Sequence, residues 1–180
     1  MRKIIFYGCI SLDGYLADKS NKIDWLESID NPDLFTKSYE PFIKNIDTLI
    51  WGRNTYNYVE EALDPFPYGQ YKNYLYTHHD DIKDKTNKNV IIPTENPVAL
   101  AKSLVKEDGK DIWVVGGGEI ITELIEADLV DELIIQIAPI LLGDGNTLFK
   151  KLASLKRFKL TDTVTYGDVV EIKYKIKKDL

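Results

Sequence analysis

A chain of 180 residues with 44% apolar content holds material for one hydrophobic core and too little for two ordinary ones, so one domain over residues 1–180 is expected. Eleven tyrosines, six phenylalanines and 29% charged residues, without any low-complexity tract, exclude wholesale disorder. With 23 Lys and Arg against 29 Asp and Glu the formal charge is −6, which argues against nucleic acid as a partner, and no apolar run reaches the roughly 18–20 residues that a membrane span needs.

Residues 3–10 are β-branched and aromatic with almost no charge, the pattern of a strand covered on both faces and therefore central in its sheet. Gly8, Tyr7 and the stop at Asp13 argue against a secretion signal here. The strand carries the single cysteine, Cys9, which excludes an internal disulfide or a thiolate cluster and fits a reducing compartment, so a cytoplasmic location is expected. Asn31-Pro32 reads as a helix start, with Phe35, Tyr39, Phe42, Ile43 and Ile46 on one face and Pro41 kinking or splitting the helix.

Thr48 to Trp51 is a second buried strand, closed by Gly52, with a helix from about Asn54. Asp64 to Gly69 is a loop, and Asn73 to Thr77 and Asn89 to Ile92 are short strands. Asn96-Pro97 opens another helix, with Val98, Ala101, Leu104 and Val105 inward and Gly109 beyond its end. Ile112 to Val115 is a strand running straight into Gly116, Gly117 and Gly118 and then a helix with Ile120, Ile121, Leu124 and Ile125 on one face. This alternation predicts parallel strands joined by crossover helices. After about residue 130 the pattern changes: Leu133 to Ile137 is a strand, and Phe158 to Tyr166 with Val169 to Ile176 is an antiparallel hairpin about Gly167-Asp168.

Three junctions could carry chemistry. The glycines 116–118 leave backbone amides bare at a helix start, where phosphate binds well, although a tight packed turn would also need them. A third glycine at the G-x-G-x-x-G spacing is absent because Ile121 stands there, and no G-K-[ST] exists, which excludes the Rossmann and P-loop fingerprints. Trp51-Gly52-Arg53-Asn54-Thr55-Tyr56 is a second strand end entering a helix, with a guanidinium able to grip phosphate or simply to pair with a surface carboxylate. Two amide-rich junctions in one α/β domain suit a ligand with several phosphates, such as a dinucleotide. Ser11-Leu12-Asp13-Gly14-Tyr15-Leu16-Ala17 follows the first strand, and its Asp-Gly alone reads as a turn.

In this order, and with Leu129-Val130-Asp131-Glu132-Leu133 and Ala138-Pro139-Ile140-Leu141-Leu142-Gly143-Asp144-Gly145 following, these motifs resemble the dihydrofolate-reductase-like superfamily over nearly the whole chain. Within it the late segment is most similar to the C-terminal reductase domain of bifunctional riboflavin-biosynthesis enzymes and its stand-alone relatives. The resemblance implies a three-layer αβα fold with a mixed, mostly parallel sheet and a C-terminal antiparallel hairpin. It further implies NADPH held across the strand ends, with Gly116, Gly117, Gly118, Glu119 and Ile120 at the pyrophosphate and a cis peptide joining the first two glycines. Gly52, Arg53, Asn54 and Thr55 would meet the phosphates, Thr77 the adenosine portion, and Cys9, Leu16 and Ala17 the nicotinamide. The polar stretch between Ala17 and Trp25 would form the mobile loop over the site.

The nicotinamide would carry the hydride, so the protein need only position an electrophilic C=N or C=O carbon and exclude water. For the proton, the resemblance implies a buried carboxylate on the helix after the loop. Candidates are Asp30, Asp33 and Glu40, with Asp33 the choice for catalysis, although a first-turn carboxylate there equally suits the helix dipole. The riboflavin-pathway reductases that the chain resembles carry arginines after the second-strand junction to hold a ribose phosphate, whereas Asp64-Pro65-Phe66-Pro67-Tyr68 has none. The resemblance therefore implies a small pterin- or pyrimidine-like heterocycle as the substrate class, with Asp13, Trp25, Tyr56 and Phe66 lining its pocket. His78-His79 are read as solvated loop residues, and no nucleophile elbow surrounds Ser11. The alternative to a reductase is a non-catalytic NADPH-binding regulatory module on the same fold. A homodimer through the late strands is expected.

Overall fold

The structure is a computed structural model that describes residues 1–29, 31–79, 81–82 and 88–177. Asp30, one of the candidate acids, lies outside the described residues. An eight-stranded sheet runs in the order β5-β4-β3-β6-β1-β7-β10-β9, where β1 is Ile4–Ile10, β3 Ile46–Gly52, β4 Lys72–Tyr76, β5 Val90–Ile91, β6 Asp111–Gly116, β7 Glu132–Ile137, β9 Phe158–Tyr166 and β10 Val169–Ile176. All neighbours from β5 through β7 pair in parallel, whereas β10 pairs antiparallel with β7 and β9 antiparallel with β10. The expected mixed sheet and C-terminal hairpin are both present, and the first strand is central.

Both faces of the inner strands are covered, which is why they read as unbroken apolar runs rather than alternating ones. On one face Ile4, Phe6, Ile50, Ile112, Val114 and Leu133 pack against α4 (Pro97–Leu104) and α5 (Gly118–Glu126), through Leu100, Leu104, Ile121 and Leu124. On the other, Ile5, Tyr7, Leu49, Trp51, Trp113 and Ile134 meet Phe42 and Tyr56 from the helical run before β3 and from α3 (Arg53–Ala62). Three layers result. Asn96 caps α4 with its side chain at 2.9 Å from the amide of Ala99, the cap that Asn-Pro predicted.

The run before β3 departs from expectation in an informative way. It comprises α1 (Pro32–Leu34), a π turn (Phe35–Tyr39) and α2 (Glu40–Ile43) in unbroken succession. Pro41 neither splits nor ends it, because the wider turn stands directly before the residue that cannot donate an i→i−4 bond. The wider turn also shifts the phase of the faces: Phe35 is 54% exposed and Ser38 is buried. Ile46, expected on the helix, instead opens β3. Two elements too short for periodicity to reveal, β2 (Tyr15–Ala17) and β8 (Asn146–Thr147), pair antiparallel beside the end of β1. No helix among the described residues is long and apolar enough to cross a membrane.

Asn73 ties the outer parallel strands to their loops. Its fully buried carboxamide accepts from Trp51 Nε1 at 2.9 Å, and its nitrogen lies 2.8, 2.9 and 3.0 Å from the carbonyl oxygens of Tyr68, Tyr71 and Lys88. Substituting Asn73→Ala leaves the indole N–H and the Lys88 carbonyl without these partners, while the carbonyls of Tyr68 and Tyr71 keep the amide of Tyr71 and the side chain of Asn89, so stability should fall by about 3 kcal/mol. Urea denaturation should show a lower midpoint with an unchanged m-value.

Candidate functional site

The carboxyl ends of β3 and β6 meet. Trp51 pairs with Gly116, and a Cβ built on Gly52 would stand 3.1 Å from the amide nitrogen of Gly117. Gly116 has φ +155°, and a Cβ there would stand 2.9 Å from Thr55 Oγ1, so a side chain is excluded twice over. A Cβ on Gly118 would fall 2.4 Å from the Thr147 carbonyl oxygen, whereas Gly117 faces open space. The Gly116-Gly117 peptide is cis, as the resemblance implied.

Gly52 is the N-cap of α3 and Gly117 the N-cap of α5, and neither helix has a side-chain cap. Two helix starts with bare amides therefore lie side by side at the strand ends, each carrying the positive end of a helix dipole. Arg53 sits in the first turn of α3. One of its nitrogens, Nη2, pairs with the exposed Asp81 at 2.9 Å, and the other, Nη1, is buried without a hydrogen-bond partner among the described residues. An orphaned guanidinium nitrogen beside two uncapped helix starts fits a phosphorylated ligand such as NADPH. The residues expected at its nicotinamide end, Cys9, Leu16 and Ala17, are half-buried where β1 ends and β2 runs. Thr77 follows β4 beside Gly52, its hydroxyl engaged with the backbone of His79 at 3.0 and 3.1 Å.

Several expected ligands have other occupations. Asn54 is exposed and donates to Asn21 at 3.1 Å, and Asn146 donates to the same oxygen at 2.6 Å, so these residues strap the 18–22 loop down rather than reach for phosphate. Ile120 is buried in the core, leaving only its backbone to a ligand, and Glu119 is exposed in the first turn of α5. Asp13 accepts from Ser11 Oγ at 2.6 Å and from the amides of Leu142 and Gly143 at 3.2 and 2.7 Å, spending both oxygens on the chain itself. The Ser11 hydroxyl, and after it those amides, holds the Asp13 carboxyl below the ordinary range. Tyr56 is wholly buried, edge-on to Trp51 at 5.7 Å, and Phe66 packs on Tyr56 at 5.4 Å and on Trp51, so these two rings build the core instead of a substrate platform. Trp25, on the 3₁₀ turn Asp24–Ser28, stays available: its buried Nε1 has no partner among the described residues.

The expected helix-borne acid is not found there. Asp33 is 57% exposed and paired with Lys37 at 2.8 Å, and Glu40 is half-exposed. A buried carboxylate does exist nearby, on a strand: Glu171 of β10 meets Ser38 and Gln136, with the Tyr7 hydroxyl 3.0 Å from Ser38 Oγ. Only the inward register of Glu171 with Val169 in an alternating strand could have flagged it. Among the described residues no group of three or more His, Cys, Asp or Glu could hold a metal ion, and His78 and His79 are exposed.

The model of the RibD C-terminal domain family matches residues 2–172. The chain belongs to that family. It is 32% identical over 173 residues to the uncharacterized protein YwjB of Bacillus subtilis (strain 168), covering 96% of this chain and 97% of that one. Among solved structures it resembles a riboflavin-biosynthesis candidate from Shewanella sp. PV-4, with TM-score 0.86, 29% identity and coverage of 99% and 100%. It also resembles dihydrofolate reductase from Enterococcus faecalis complexed with NADP(H) and RAB-propyl, with TM-score 0.67, 17% identity and coverage of 98% and 97%. The RibD C-terminal-like chain thus has the dihydrofolate-reductase-like fold.

Burial in this RibD C-terminal-like site pushes the Cys9 thiol up to about 12, partly offset by backbone hydrogen bonding at Ile10 and Ala138. The neutral thiol is therefore the folded form at neutral pH. Its contribution to stability is present below the ordinary thiol range of about 8.5 and is lost as pH rises from there, because the unfolded chain ionises first. Iodoacetamide at pH 8 should modify the folded protein at least ~100-fold more slowly than the urea-unfolded chain. Equal rates would show that Cys9 is not enclosed as described.

Proposed function

We propose that this protein is an NADPH-dependent reductase that transfers hydride to a small pterin- or pyrimidine-like heterocycle. The observation that carries the reading is the pair of adjacent uncapped helix starts, at Gly52 and Gly117, with Arg53 in the first turn of one of them and its Nη1 without a partner among the described residues. Backbone amides and a guanidinium together are the usual protein answer to a pyrophosphate or a ribose phosphate. Membership of the RibD C-terminal domain family and likeness to a dihydrofolate reductase complexed with NADP(H) support the same choice.

NADPH, when bound, supplies the hydride. Every other requirement falls on the chain. The amides opening α3 and α5 and Arg53 would hold the phosphates, and Asp81 would exchange its exposed ion pair for that contact. The loop from Asp18 to Ser28 would cover the site. It is already organised by Asp18 Oδ1, which accepts from Ser20 and Lys22 at 2.7 and 2.9 Å, and by its ties from Asn21 to Asn54 and Asn146. A held loop excludes water from the hydride path more reliably than a disordered one. The indole N–H of Trp25 offers a donor for a ring nitrogen or carbonyl of the acceptor.

NADPH fluorescence titration tests the first half of this reading. Binding should weaken as salt rises, and Arg53→Ala should raise Kd by about tenfold or more, the loss expected for one charge-assisted pair. NADPH oxidation with a panel of pterins and pyrimidines tests the second half. Tight binding with no oxidation across the panel would mark a nucleotide-binding module instead of a reductase.

A further inference from the structure

Glu171 is fully buried and is the only acidic residue buried among the described residues. Every group set against it is a donor. The Ser38 hydroxyl, on the π turn, donates to its Oε2, and Gln136 Nε2 donates to the same oxygen at 2.6 Å. Lys173 Nζ lies 3.4 Å from Oε1, an ion contact without hydrogen-bond geometry, and Oε1 has no hydrogen-bond partner among the described residues. Such surroundings suit an ionised carboxylate, because a protonated one would need an acceptor for its own O–H.

The position of this charge is fixed by the sheet register. Cys9 of β1 pairs with Gln136 of β7, and Gln136 pairs with Glu171 of β10, so the three share one row across the sheet. Alternation along the strands turns all three toward the layer formed by α1 and α2. Two strand spacings separate Cys9 from Glu171, about 10 Å between Cα atoms. Cys9 stands where the reductase reading places the nicotinamide. Burial keeps water from screening the carboxylate over that span. The charged and titratable groups facing it are Lys173 on its own strand, Tyr166 from β9 and, through Ser38, Tyr7 from β1.

We propose that Glu171 is a fixed negative charge that favours the oxidised over the reduced nicotinamide in this site, and so stabilises the transition state of hydride transfer. The inference rests on the reductase reading above. As hydride leaves with its electron pair for the acceptor carbon, the ring gains a unit positive charge, the acceptor's C=N or C=O π pair moves onto the nitrogen or oxygen, and that atom takes one proton from water. A negative charge already in place needs no reorganisation as the positive charge develops. Glu171 acts through space, held by Ser38 and Gln136 as positioning residues.

The test needs no substrate. Dissociation constants for NADPH and NADP+ are measured by fluorescence titration of the whole chain, for the wild type, Glu171→Gln and Lys173→Met. Glu171→Gln should weaken NADP+ relative to NADPH by roughly fivefold, the size expected for one charge at this distance with its neighbour Lys173 partly offsetting it. Lys173→Met removes the opposing charge from a partly exposed position, so the ratio should move the other way, by about twofold. A carboxylate with only a structural role would change both constants alike. An unchanged ratio in both variants, with both nucleotides bound, overturns the role of Glu171 and leaves the reductase reading standing. Failure of the wild type to bind either nucleotide overturns the reductase reading and this inference with it. Circular dichroism checks the fold of Glu171→Gln, and should that variant fail to fold, the Lys173→Met ratio decides.

Discussion

The approach of the β3 and β6 ends to within van der Waals contact is the constraint on which the site depends. Parallel neighbours in a sheet deliver their following helices from the same edge, so two helix starts lie side by side only if the strand ends admit no side chain between them. Gly52 and Gly116 meet that demand by different routes, the first because Gly117 crowds it and the second because its φ lies where a Cβ is strained and Thr55 closes the space. Gly118 adds a third close approach, against the carbonyls of Thr147 and Leu148, which fastens the late segment to the start of α5. The amides are thus presented as a consequence of packing, and no side chain caps them.

The same economy explains what surrounds the site. The 18–22 loop is held by carboxamides, Asn54 and Asn146 sharing the oxygen of Asn21, while Asp13 clamps the Leu142-Gly143 turn beside the end of β1. Residues that look like ligands in the sequence are therefore fasteners in the fold. Asp13 satisfies the backbone amides of Leu142 and Gly143, and the two asparagines satisfy a side-chain oxygen of the loop.

Strands, helices and their alternation were legible because their signals are local. Asn-Pro pairs mark helix starts, uncharged β-branched runs mark strands buried on both faces, and Gly167-Asp168 marks a two-residue hairpin turn. Elements of two or three residues carry no period, which hid β2 and β8, and the π turn shifted the face of one helix so that Phe35 turned outward and Ser38 inward. The glycine-lined junction of β3 and β6 was legible for a related reason: glycine at a strand end is a backbone statement, readable without knowing what lies opposite. The substrate half was not. Whether an aromatic ring offers a face to a ligand or to the core depends on partners distant in sequence. Tyr56 and Phe66 found theirs in Trp51 and Tyr68.

The carboxylate shows the same limit in sharper form. A helix-borne acid was sought between residues 30 and 40 because local position suggested it, yet the described candidates there are solvated. The buried charge comes from a strand more than 130 residues later, and only the antiparallel return of β10 beside β7 brings it against Ser38. Burying a carboxylate costs several kcal/mol unless other groups replace its water, and here a hydroxyl and a carboxamide donate to one oxygen while an ammonium lies in ion contact with the other. A core with Tyr7, Phe42 and Ile134 at hand could have filled this space with an apolar side chain at no such cost. Keeping such donors around one charge, in the row of the sheet that Gln136 shares with Cys9, is therefore better explained by the charge than by the packing.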